Sequence, residues 1–403
     1  MLKALLLYLQ KLRLKYSTSL NVKEGKLPNQ GYLTDIQKVK GINKTELDAL
    51  QPVLNKFSFR AHEHYLSLIN WQNPDDPIKK IIIPNLQELE KWGRLDASNE
   101  KDYSIMPGFQ HKYTSTAVML ISNVCGGFCR FCFRKRLFLH PEMNEYIQDL
   151  EPVFSYIEAH PEINNVLLTG GDGLILSTSK LKTIISRLRQ INHVKIIRIG
   201  TKLLAFNPFR ILNDENLIKL LSAYSLPEKR IYIMTHFNHP AEISQPTLKA
   251  VQLLLKAGVI LANQTPMLKG INDSPYILAN LFKKLSYIGI PPYYVFICRP
   301  TIGNFSFSVP IEKALEIFQK AQMMCSGLAK RARLTMSHAS GKIEPVALTD
   351  KHIIFRYHRA ADDSTSGDIM LFKRNPNAYW FDDYQEIVDT YAYQKPYRCF
   401  GPE

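Results

Sequence analysis

The central part of the chain alternates apolar, strand-like segments with amphipathic, helix-like segments. Serial strand–helix units predict a parallel sheet, open or closed, whose connections cross over in the right-handed sense. A partial (β/α)6 barrel fits this pattern best, and a doubly wound sheet is the alternative. The strand-like segments span 117–122, 165–169, 194–199, 230–235, 258–264 and 293–297. The helix-like segments span 181–190, 245–254, 276–288 and 311–323.

The two ends of the 403-residue chain lack this alternation and are predicted to be additions to the barrel. Residues 1–108 are expected to form an N-terminal helical region, and residues 109–340 the partial barrel. Residues 341–403 are expected to form a C-terminal cap. The elements predicted at the ends are helices at 45–57, 61–68 and 384–391 and short strands at 352–357 and 368–373.

Three cysteines, Cys125, Cys129 and Cys132, follow the first strand-like segment in one short loop. Thiolates are soft ligands that hold iron–sulfur clusters, and three of them leave the fourth iron of a cubane without a protein ligand. Structural zinc usually takes four ligands, commonly as two spaced pairs, and the sequence offers no second pair. The loop is therefore predicted to hold a [4Fe–4S] cluster, with zinc and ordinary buried thiols as the alternatives.

The segment Gly170-Gly171-Asp172 ends the second strand-like segment. Two glycines let a ligand approach the backbone closely, and a carboxylate accepts hydrogen bonds from an ammonium group. A Gly-Gly-Asp sequence is also a common turn without further function. Its position one strand after the cysteine loop favours a ligand site, because reactive residues of such barrels gather at the carboxyl ends of the strands.

The C-x3-C-x2-C spacing, with an aromatic residue before the third cysteine, resembles the cluster motif of the radical S-adenosylmethionine (SAM) enzymes. Further segments are similar, in order from about residue 50 to 350, to lysine 2,3-aminomutase and its relatives. The resemblance implies an isomerase that uses a [4Fe–4S] cluster, SAM and pyridoxal phosphate to move an amino group between adjacent carbons of an amino acid. The similar segments are 65–69, 73–77, 111–113, 167–172, 235–240, 263–264 and 341–342.

The resemblance also assigns SAM-binding residues. Gly170, Gly171 and Asp172 match the segment that holds the aminoacyl part of SAM, and His236 and Gln264 match polar residues that face the same molecule. A single strand-end histidine is more often a structural group. The prediction for the last two residues therefore depends on their joint placement.

The predicted pyridoxal phosphate site combines Lys342 with Lys112 and Tyr113. Lys342 matches the family's pyridoxal-binding lysine, and the chemistry needs a lysine because its amine condenses with the aldehyde. Lys112 and Tyr113 match a basic–aromatic pair that lies near the phosphate in the family. The family carries arginine in place of Lys112, a further basic residue in place of Thr116, and a glycine run before the lysine. These departures leave the geometry of the phosphate site open.

Two arginines bear on the substrate. Arg134 matches the arginine that binds the substrate's α-carboxylate, and the alternative is a charge that only flanks the cluster. Arg299 stands where lysine-specific members carry an aspartate, and Thr335 or Ser337 falls where they carry a second one. A guanidinium repels an ammonium and attracts a carboxylate. The predicted substrate is therefore not free lysine, and an acidic amino acid is the candidate.

The remaining cysteines bear on metal content and compartment. Some lysine aminomutases bind zinc through a cysteine after the fifth strand and a C-terminal cysteine cluster, where Ser274 and Cys399 stand here. No structural zinc is therefore expected. Cys298, Cys325 and Cys399 are widely spaced and form no disulfide framework, which predicts a reducing, cytoplasmic location.

The charge balance bears on partners. The net charge of +15 suits an acidic flavodoxin- or ferredoxin-type electron donor. Residues 1–23 are basic, and a solvated amphipathic helix is expected there, with a targeting peptide as the alternative. No apolar run of the sequence is long enough to span a bilayer, so no membrane association is expected. The resemblance further implies a homodimer.

Two other functions stay open at this point. The same radical chemistry would serve to modify a residue of a protein or an RNA, with the positive charge guiding an acidic partner. A non-enzymatic iron–sulfur binding or sensing module is the third hypothesis, but Lys342 and the Gly170-Gly171-Asp172 turn would have no purpose in it. A pyridoxal absorbance band in the purified protein separates this module from the enzymes.

Overall fold

The computed structural model describes residues 31–140 and 144–392, so the predicted basic helix at 1–23 and Cys399 lie outside the described residues. The strands of the described chain are β1 (Tyr32–Leu33), β2 (Ala61–His62), β3 (Ser104–Met106), β4 (Phe109–Tyr113), β5 (Thr116–Ser122), β6 (Asn165–Gly170), β7 (Ile196–Thr201), β8 (Ile231–Thr235), β9 (Ile260–Pro266), β10 (Pro292–Phe296), β11 (Arg333–His338), β12 (Gly341–Leu348), β13 (His352–Ala360), β14 (Ile369–Lys373) and β15 (Ile387–Tyr391). Its α-helices are α1 (Lys44–Leu54), α2 (Glu63–Leu66), α3 (Pro77–Ile82), α4 (Arg136–Leu139), α5 (Glu151–Ala159), α6 (Thr178–Gln190), α7 (Leu203–Phe206), α8 (Phe209–Leu212), α9 (Glu215–Tyr224), α10 (Gln245–Lys256), α11 (Pro275–Tyr287) and α12 (Ile311–Met323).

The centre of the molecule is a run of parallel strands, β5 to β11, whose order in the sheet is their order in the sequence. Every connection between them carries at least one helix. A doubly wound sheet would reverse its strand order at a switch point. The sequential order therefore confirms the partial (β/α)6 barrel, which β11 extends by a seventh parallel strand.

The strands of the barrel alternate between two environments, as the period of two in their sequences predicts. In β6, Val166 and Leu168 are fully buried under the helices, whereas Leu167 and Thr169 face the interior of the barrel. The helices that cover the sheet begin at polar caps; for example, the Ser244 hydroxyl accepts a hydrogen bond from the third residue of α10. Among the described helices, none combines the length and apolar composition that a membrane span requires.

The two ends of the chain differ in part from the sequence expectations. Helix α1 confirms the predicted helix at 45–57, but the described part of the N-terminal region is largely irregular, and only the four residues of α2 are helical within 61–68. The strands at 352–357 and 368–373 are confirmed by β13 and β14. The helix at 384–391 is wrong, because β15 pairs there with β14. Its residues Ile387, Val388 and Thr390 are β-branched, which favours a strand over a helix.

The C-terminal strands continue the barrel sheet rather than stand apart from it. Strands β11 to β15 pair with one another in antiparallel fashion, and β3 and β15 form the edges of the described sheet. The boundary placed after residue 340 falls in the turn between β11 and β12. The division into three domains stays a prediction.

The N-terminal region holds the cysteine loop in place. Arg130, which lies inside that loop, donates hydrogen bonds from Nε and Nη2 to the carboxylate of Glu88, at 2.8 to 3.1 Å. Both side chains are almost completely buried. Arg130 also donates to the carbonyl of Ser58 at 2.9 Å, and its own backbone N–H donates to the carbonyl of Ile81 at 2.9 Å. The loop is thus anchored through a buried ion pair.

Replacing Glu88 by alanine is expected to lower the free energy of unfolding by about 3–5 kcal/mol, because it leaves the Arg130 charge buried without a partner. Urea unfolding followed by circular dichroism measures the change. The matched control is Lys219→Ala, which removes one member of the exposed Lys219–Glu215 pair and should cost less than about 1 kcal/mol. Similar effects of the two substitutions would contradict the anchoring role of the buried pair.

Candidate active site

The carboxyl ends of the parallel strands surround a cavity of about 390 Å³. Every residue to which the sequence assigned a binding role lines this cavity, although the individual roles stay predictions. Parallel strands bring such residues together because their carboxyl ends meet at one end of the barrel. The residues are Lys112, Tyr113, Cys125, Cys129, Cys132, Arg134, Gly170, Gly171, Asp172, His236, Gln264, Arg299 and Lys342.

The three cysteines are half-buried at the wall of the cavity. Burial raises the pKa of each of them, to about 12 for Cys129, and the neighbouring thiols raise it further for all but Cys132. Lys202 acts in the opposite direction on Cys129. Cluster ligands must be thiolates. Bound iron stabilises thiolates. Iron bound at this loop would therefore offset the free-energy cost of burying three charged thiolates.

A cluster and a single zinc ion place different demands on the loop. Structural zinc, in tetrahedral coordination, takes four protein ligands. Among the described residues, the group whose three candidate ligand atoms lie within 4.8 Å of one another is formed by His111, His160 and Glu162, and it includes none of the three thiols. Three cysteines on one loop fit a cluster with one open iron better than a closed zinc site.

The glycine turn after β6 packs directly on the start of the cysteine loop. Gly170 has φ +108°, and a Cβ atom built on it would lie 2.4 Å from the carbonyl oxygen of Ser122. A Cβ atom on Gly171 would lie 2.2 Å from the carbonyl oxygen of Val124. The structure thus gives a reason for both glycines that the sequence did not: close contact between two backbone segments, in addition to any approach of a ligand.

Asp172 is buried beside this turn and accepts hydrogen bonds from the backbone. Its two carboxylate oxygens accept from the N–H groups of Leu174, at 2.9 Å, and Lys202, at 2.7 Å. Burial raises the pKa of Asp172, and these hydrogen bonds partly oppose the shift. Asp172 therefore links the turn to the end of β7, while its predicted contact with SAM stays a prediction.

His236 lies at the end of β8, close to the cation of Lys202. Burial first, and then the charge of Lys202, lower the pKa of His236 well below its ordinary value, so the imidazole is neutral at pH 7. It lies 3.3 Å from the side-chain amide of Asn238. Gln264 lines the same cavity from β9. A neutral imidazole and an amide provide hydrogen-bonding groups without adding charge.

Lys342 lies in β12, opposite Ser337 of β11. Its ammonium donates a hydrogen bond to the Ser337 hydroxyl at 3.1 Å and lies 4.8 Å from the ring centroids of both Tyr294 and Phe296. Burial and then the charge of Arg299 lower the pKa of Lys342 to about 7. A lysine that condenses with an aldehyde must be neutral, and these surroundings supply that state near neutral pH.

The turn that precedes Lys342 is fixed by Lys112 of β4 and by Tyr103, which lies just before β3. Lys112 donates a hydrogen bond from Nζ to the carbonyl of His338 at 2.6 Å, and Tyr103 donates from its hydroxyl to the carbonyl of Ala339 at 2.6 Å. The His338 ring contacts the Ser340 hydroxyl at 2.8 Å. Where the family has a glycine run, this chain therefore has a hydrogen-bonded hairpin. Lys112 supports that hairpin besides its predicted role at the phosphate.

A buried carboxylate, Glu100, binds the predicted substrate arginine. It accepts hydrogen bonds from Arg134, at 2.7 Å from Nη2, and from Arg136, at 2.7 Å, and its Oε1 lies 3.7 Å from Nη1 of Arg299. Burial alone would raise the pKa of Glu100, but the three arginines hold it far below its usual range. Arg299 also stacks on Phe133 at 3.7 Å, and within the described chain its one ion pair is this longer contact with Glu100, which the other two arginines bind more closely.

Four charged residues of the cavity wall were missed in the sequence: Glu100, Arg198, Lys202 and Arg359. Lys202 directly follows β7, and its strand-end position was a usable signal. Its ammonium donates to the buried Glu242 carboxylate at 2.6 Å. Glu100 begins a short 3-10 helix, Arg198 lies inside β7 and Arg359 inside β13, and no local pattern marks any of the three.

Three known proteins show which family this chain resembles, although no family model matches it. "Putative L-lysine 2,3-aminomutase" of Aquifex aeolicus is 52% identical over 361 residues, which cover 89% of this chain and 96% of that protein. L-lysine 2,3-aminomutase of Clostridium subterminale is 34% identical, covering 73% and 70%. Glutamate 2,3-aminomutase of Clostridioides difficile is 32% identical, covering 74% and 70%. The chain belongs to the lysine 2,3-aminomutase family.

The family fixes the reaction class and the cofactors. Its members are isomerases that move an amino group between adjacent carbons of an amino acid, and they use a [4Fe–4S] cluster, SAM and pyridoxal phosphate. A solved structure, native anSMEcpe with bound AdoMet and Kp18Cys peptide, is 13% identical with a TM-score of 0.38 over 51% of this chain and 58% of that one, too distant a likeness to support a conclusion.

The low pKa of Lys342 in this aminomutase is testable in protein freed of pyridoxal phosphate. Pulse acetylation at a series of pH values, read by mass spectrometry, should show half-maximal reactivity of Lys342 near pH 7, against about 10.4 for a lysine in water. Arg299→Gln removes a nearby positive charge, which should raise the pKa and slow acetylation at pH 7. The control substitution Arg331→Gln, at an exposed arginine, should leave the pH dependence of Lys342 acetylation unchanged. An unshifted Lys342 would refute the argument.

Proposed function

We propose that this radical SAM 2,3-aminomutase acts on an amino acid with an acidic side chain rather than on free lysine. The observation that carries the proposal is the placement of Arg299, which lines the cavity where lysine-specific members carry an aspartate. Burial lowers the pKa of Arg299 to about 10, and Glu100 partly opposes the shift, so the guanidinium stays charged at pH 7. A fixed positive charge there attracts a second carboxylate and repels an ammonium.

The other charges of the cavity support the same substrate class. Its described lining contains two acids, Glu100 and Asp172. Glu100 is bound by arginines, and Asp172 by backbone N–H groups. The cations of the lining are Lys112, Arg134, Arg198, Lys202, Arg299, Lys342 and Arg359. An ammonium side chain would therefore enter a positively charged cavity without a free acid to bind it.

Lysine-specific members carry a second substrate-binding aspartate, and this chain has Thr335 or Ser337 at that position. Thr335 is fully buried, and its hydroxyl donates to the carbonyl of Ile343 at 3.1 Å, away from the cavity lining. Ser337 does line the cavity, but its hydroxyl is the acceptor for Lys342. Neither residue provides charge for a lysine ammonium. The glutamate enzyme among the relatives shows that the family includes an acidic substrate.

We assign the parts of the cavity as follows. Cys125, Cys129 and Cys132 bind the cluster, and Lys342 bonds to pyridoxal phosphate. SAM is bound by Gly170, Gly171, Asp172, His236 and Gln264. The pyridoxal phosphate lies near Lys112 and Tyr113. The bound cofactors supply radical initiation and stabilisation of the unpaired electron. The sites proposed for the substrate are Arg134 and Arg299.

The chain itself contributes orientation, charge and exclusion of water. Glu100 fixes Arg134 through two guanidinium nitrogens and holds the charge of Arg299 nearby. Arg134 is proposed to bind the α-carboxylate, and Arg299 the side-chain carboxylate, so the substrate is held at both ends. The rings of Phe133 and Phe296 form part of the wall and reduce access of water to the reacting carbons.

The remaining proposals concern the electron donor, the oligomeric state and the location. A reduced cluster needs an electron, and the net charge of +15 supports an acidic flavodoxin or ferredoxin as donor. A homodimer rests on analogy with the family alone. A cytoplasmic location rests on the absence of a disulfide framework in the sequence.

The substrate class is tested by anaerobic reconstitution with iron, sulfide, SAM and pyridoxal phosphate, followed by product analysis over glutamate, aspartate and lysine. An acidic amino acid should be converted in preference to lysine. Arg299→Gln should raise the KM for that substrate about 10- to 100-fold, the loss expected for a charged hydrogen bond. The exposed Arg331→Gln serves as the matched control. Equal consumption of lysine and glutamate would refute the proposal.

Metal analysis of the reconstituted protein tests the cluster assignment separately. About four iron and four sulfide per chain are expected without stoichiometric zinc. Cys129→Ala should lose most of the iron and the visible absorbance of the cluster. Cys325→Ala should retain both, because Cys325 is a buried thiol of the C-terminal core whose hydrogen-bond partner is the carbonyl of Ala279. Zinc in place of iron would contradict the assignment.

A further inference from the structure

Arg359 is the cross-strand partner of Lys342. The two residues lie opposite each other in the antiparallel pair β12–β13, and both line the cavity. Gly341 secures this register, because a Cβ atom built on it would lie 2.4 Å from the carbonyl oxygen of Arg359. Directly opposed residues of an antiparallel pair project from the same face of the sheet. Arg359 is therefore held beside the predicted pyridoxal lysine by the sheet itself.

The guanidinium of Arg359 reaches across to the turn between β4 and β5. It donates hydrogen bonds to the Ser115 hydroxyl at 2.8 Å and the Thr116 hydroxyl at 3.3 Å. Its central carbon lies 4.5 Å from the ring centroid of Tyr113. The Arg359 guanidinium, the Thr116 hydroxyl and the Tyr113 phenol thus meet at one corner of the cavity, one strand away from Lys342, whereas Ser115 supports the guanidinium from outside the lining. These are the donor groups that proteins use for phosphate.

The charge at this corner is not compensated by acids. Within residues 31–140 and 144–392, no carboxylate lies within 4.0 Å of the Arg359 guanidinium, whereas Arg356 of the same strand contacts Glu344. Arg198 adds a second cation, held by the side-chain oxygen of Asn165 at 2.8 Å. Two neighbouring cations without an acid destabilise each other unless an anion binds between them. The corner therefore suits a dianion better than an empty or neutral state.

We propose that Arg359, with the hydroxyls of Thr116 and Tyr113, binds the phosphate of pyridoxal phosphate, while the Ser115 hydroxyl holds the guanidinium in place. The cation comes from a C-terminal strand, whereas the sequence had placed the phosphate contacts only at Lys112 and Tyr113. Lys112 is occupied by the carbonyl of His338. The inference rests on the proposed function, in which Lys342 bonds to pyridoxal phosphate. It adds Arg359 as the residue that selects pyridoxal phosphate over unphosphorylated pyridoxal.

The test compares binding of pyridoxal phosphate and of pyridoxal, which lacks the phosphate, by absorbance titration of the cluster-containing protein. The wild type should prefer pyridoxal phosphate. Arg359→Gln should reduce that preference about 10- to 100-fold, the loss expected for hydrogen bonds to a charged group. Arg359→Lys keeps the positive charge but loses the two-pronged guanidinium, so its preference for pyridoxal phosphate should lie between those of the wild type and Arg359→Gln. Arg356→Gln is the control from the same strand and should leave the preference unchanged.

Each result separates this inference from its competitors. Equal weakening of both ligands in Arg359→Gln would mean that the arginine only supports Lys342, and would overturn the inference. Unchanged binding of pyridoxal phosphate with a raised KM for the substrate would assign Arg359 to a substrate carboxylate and would overturn it too. Circular dichroism melting establishes folding, and Arg359→Lys carries the comparison if Arg359→Gln does not fold. Failure of the wild type to bind either ligand would refute the cofactor assignment itself.

Discussion

The buried ion pair between Arg130 and Glu88 determines where the proposed chemistry of this protein takes place. Arg130 lies between two of the cluster cysteines, and Glu88 belongs to the irregular N-terminal region, so the pair connects the loop to a segment outside the barrel. A three-cysteine loop has no regular secondary structure to hold its thiols in position. An anchored guanidinium supplies that rigidity, since breaking a fully buried pair leaves an uncompensated charge. The N-terminal region is therefore part of the active site's construction.

The same dependence on distant segments explains what the sequence revealed and what it concealed. The strands β5 to β10 and their helices follow from local periodicity, because each is buried on a predictable face. The cluster loop, the glycine turn and Lys342 were found because their spacing or order carries chemistry. Strand β15 was mistaken for a helix, since an edge strand with mostly polar neighbours has weak alternation. Its pairing with β14 is a tertiary property.

The missed residues share one physical reason. Glu100 and Arg359 act through contacts with partners far along the chain: Glu100 with Arg134 and Arg299, and Arg359 with the turn at Ser115. Charge pairs that form only in the folded state leave no local pattern in composition or periodicity. The three-dimensional structure alone shows that the Glu100 carboxylate contacts three guanidinium groups. It alone shows that β13, near the carboxyl terminus, brings Arg359 to the turn between β4 and β5.

The excess of cations also accounts for the behaviour of Lys342. Burial makes its ammonium costly, and Arg299, Arg198, Lys112 and Arg359 all lower its pKa further. The charges proposed to bind phosphate and carboxylates are thus the ones that keep the lysine neutral. Anions that bind at these cations weaken the repulsion, so the pKa of a free amine there would rise when they enter. The empty cavity therefore favours the neutral amine that reacts with an aldehyde, whereas a filled cavity favours the charged one. One set of arginines prepares the lysine for its cofactor and selects the charge of the substrate.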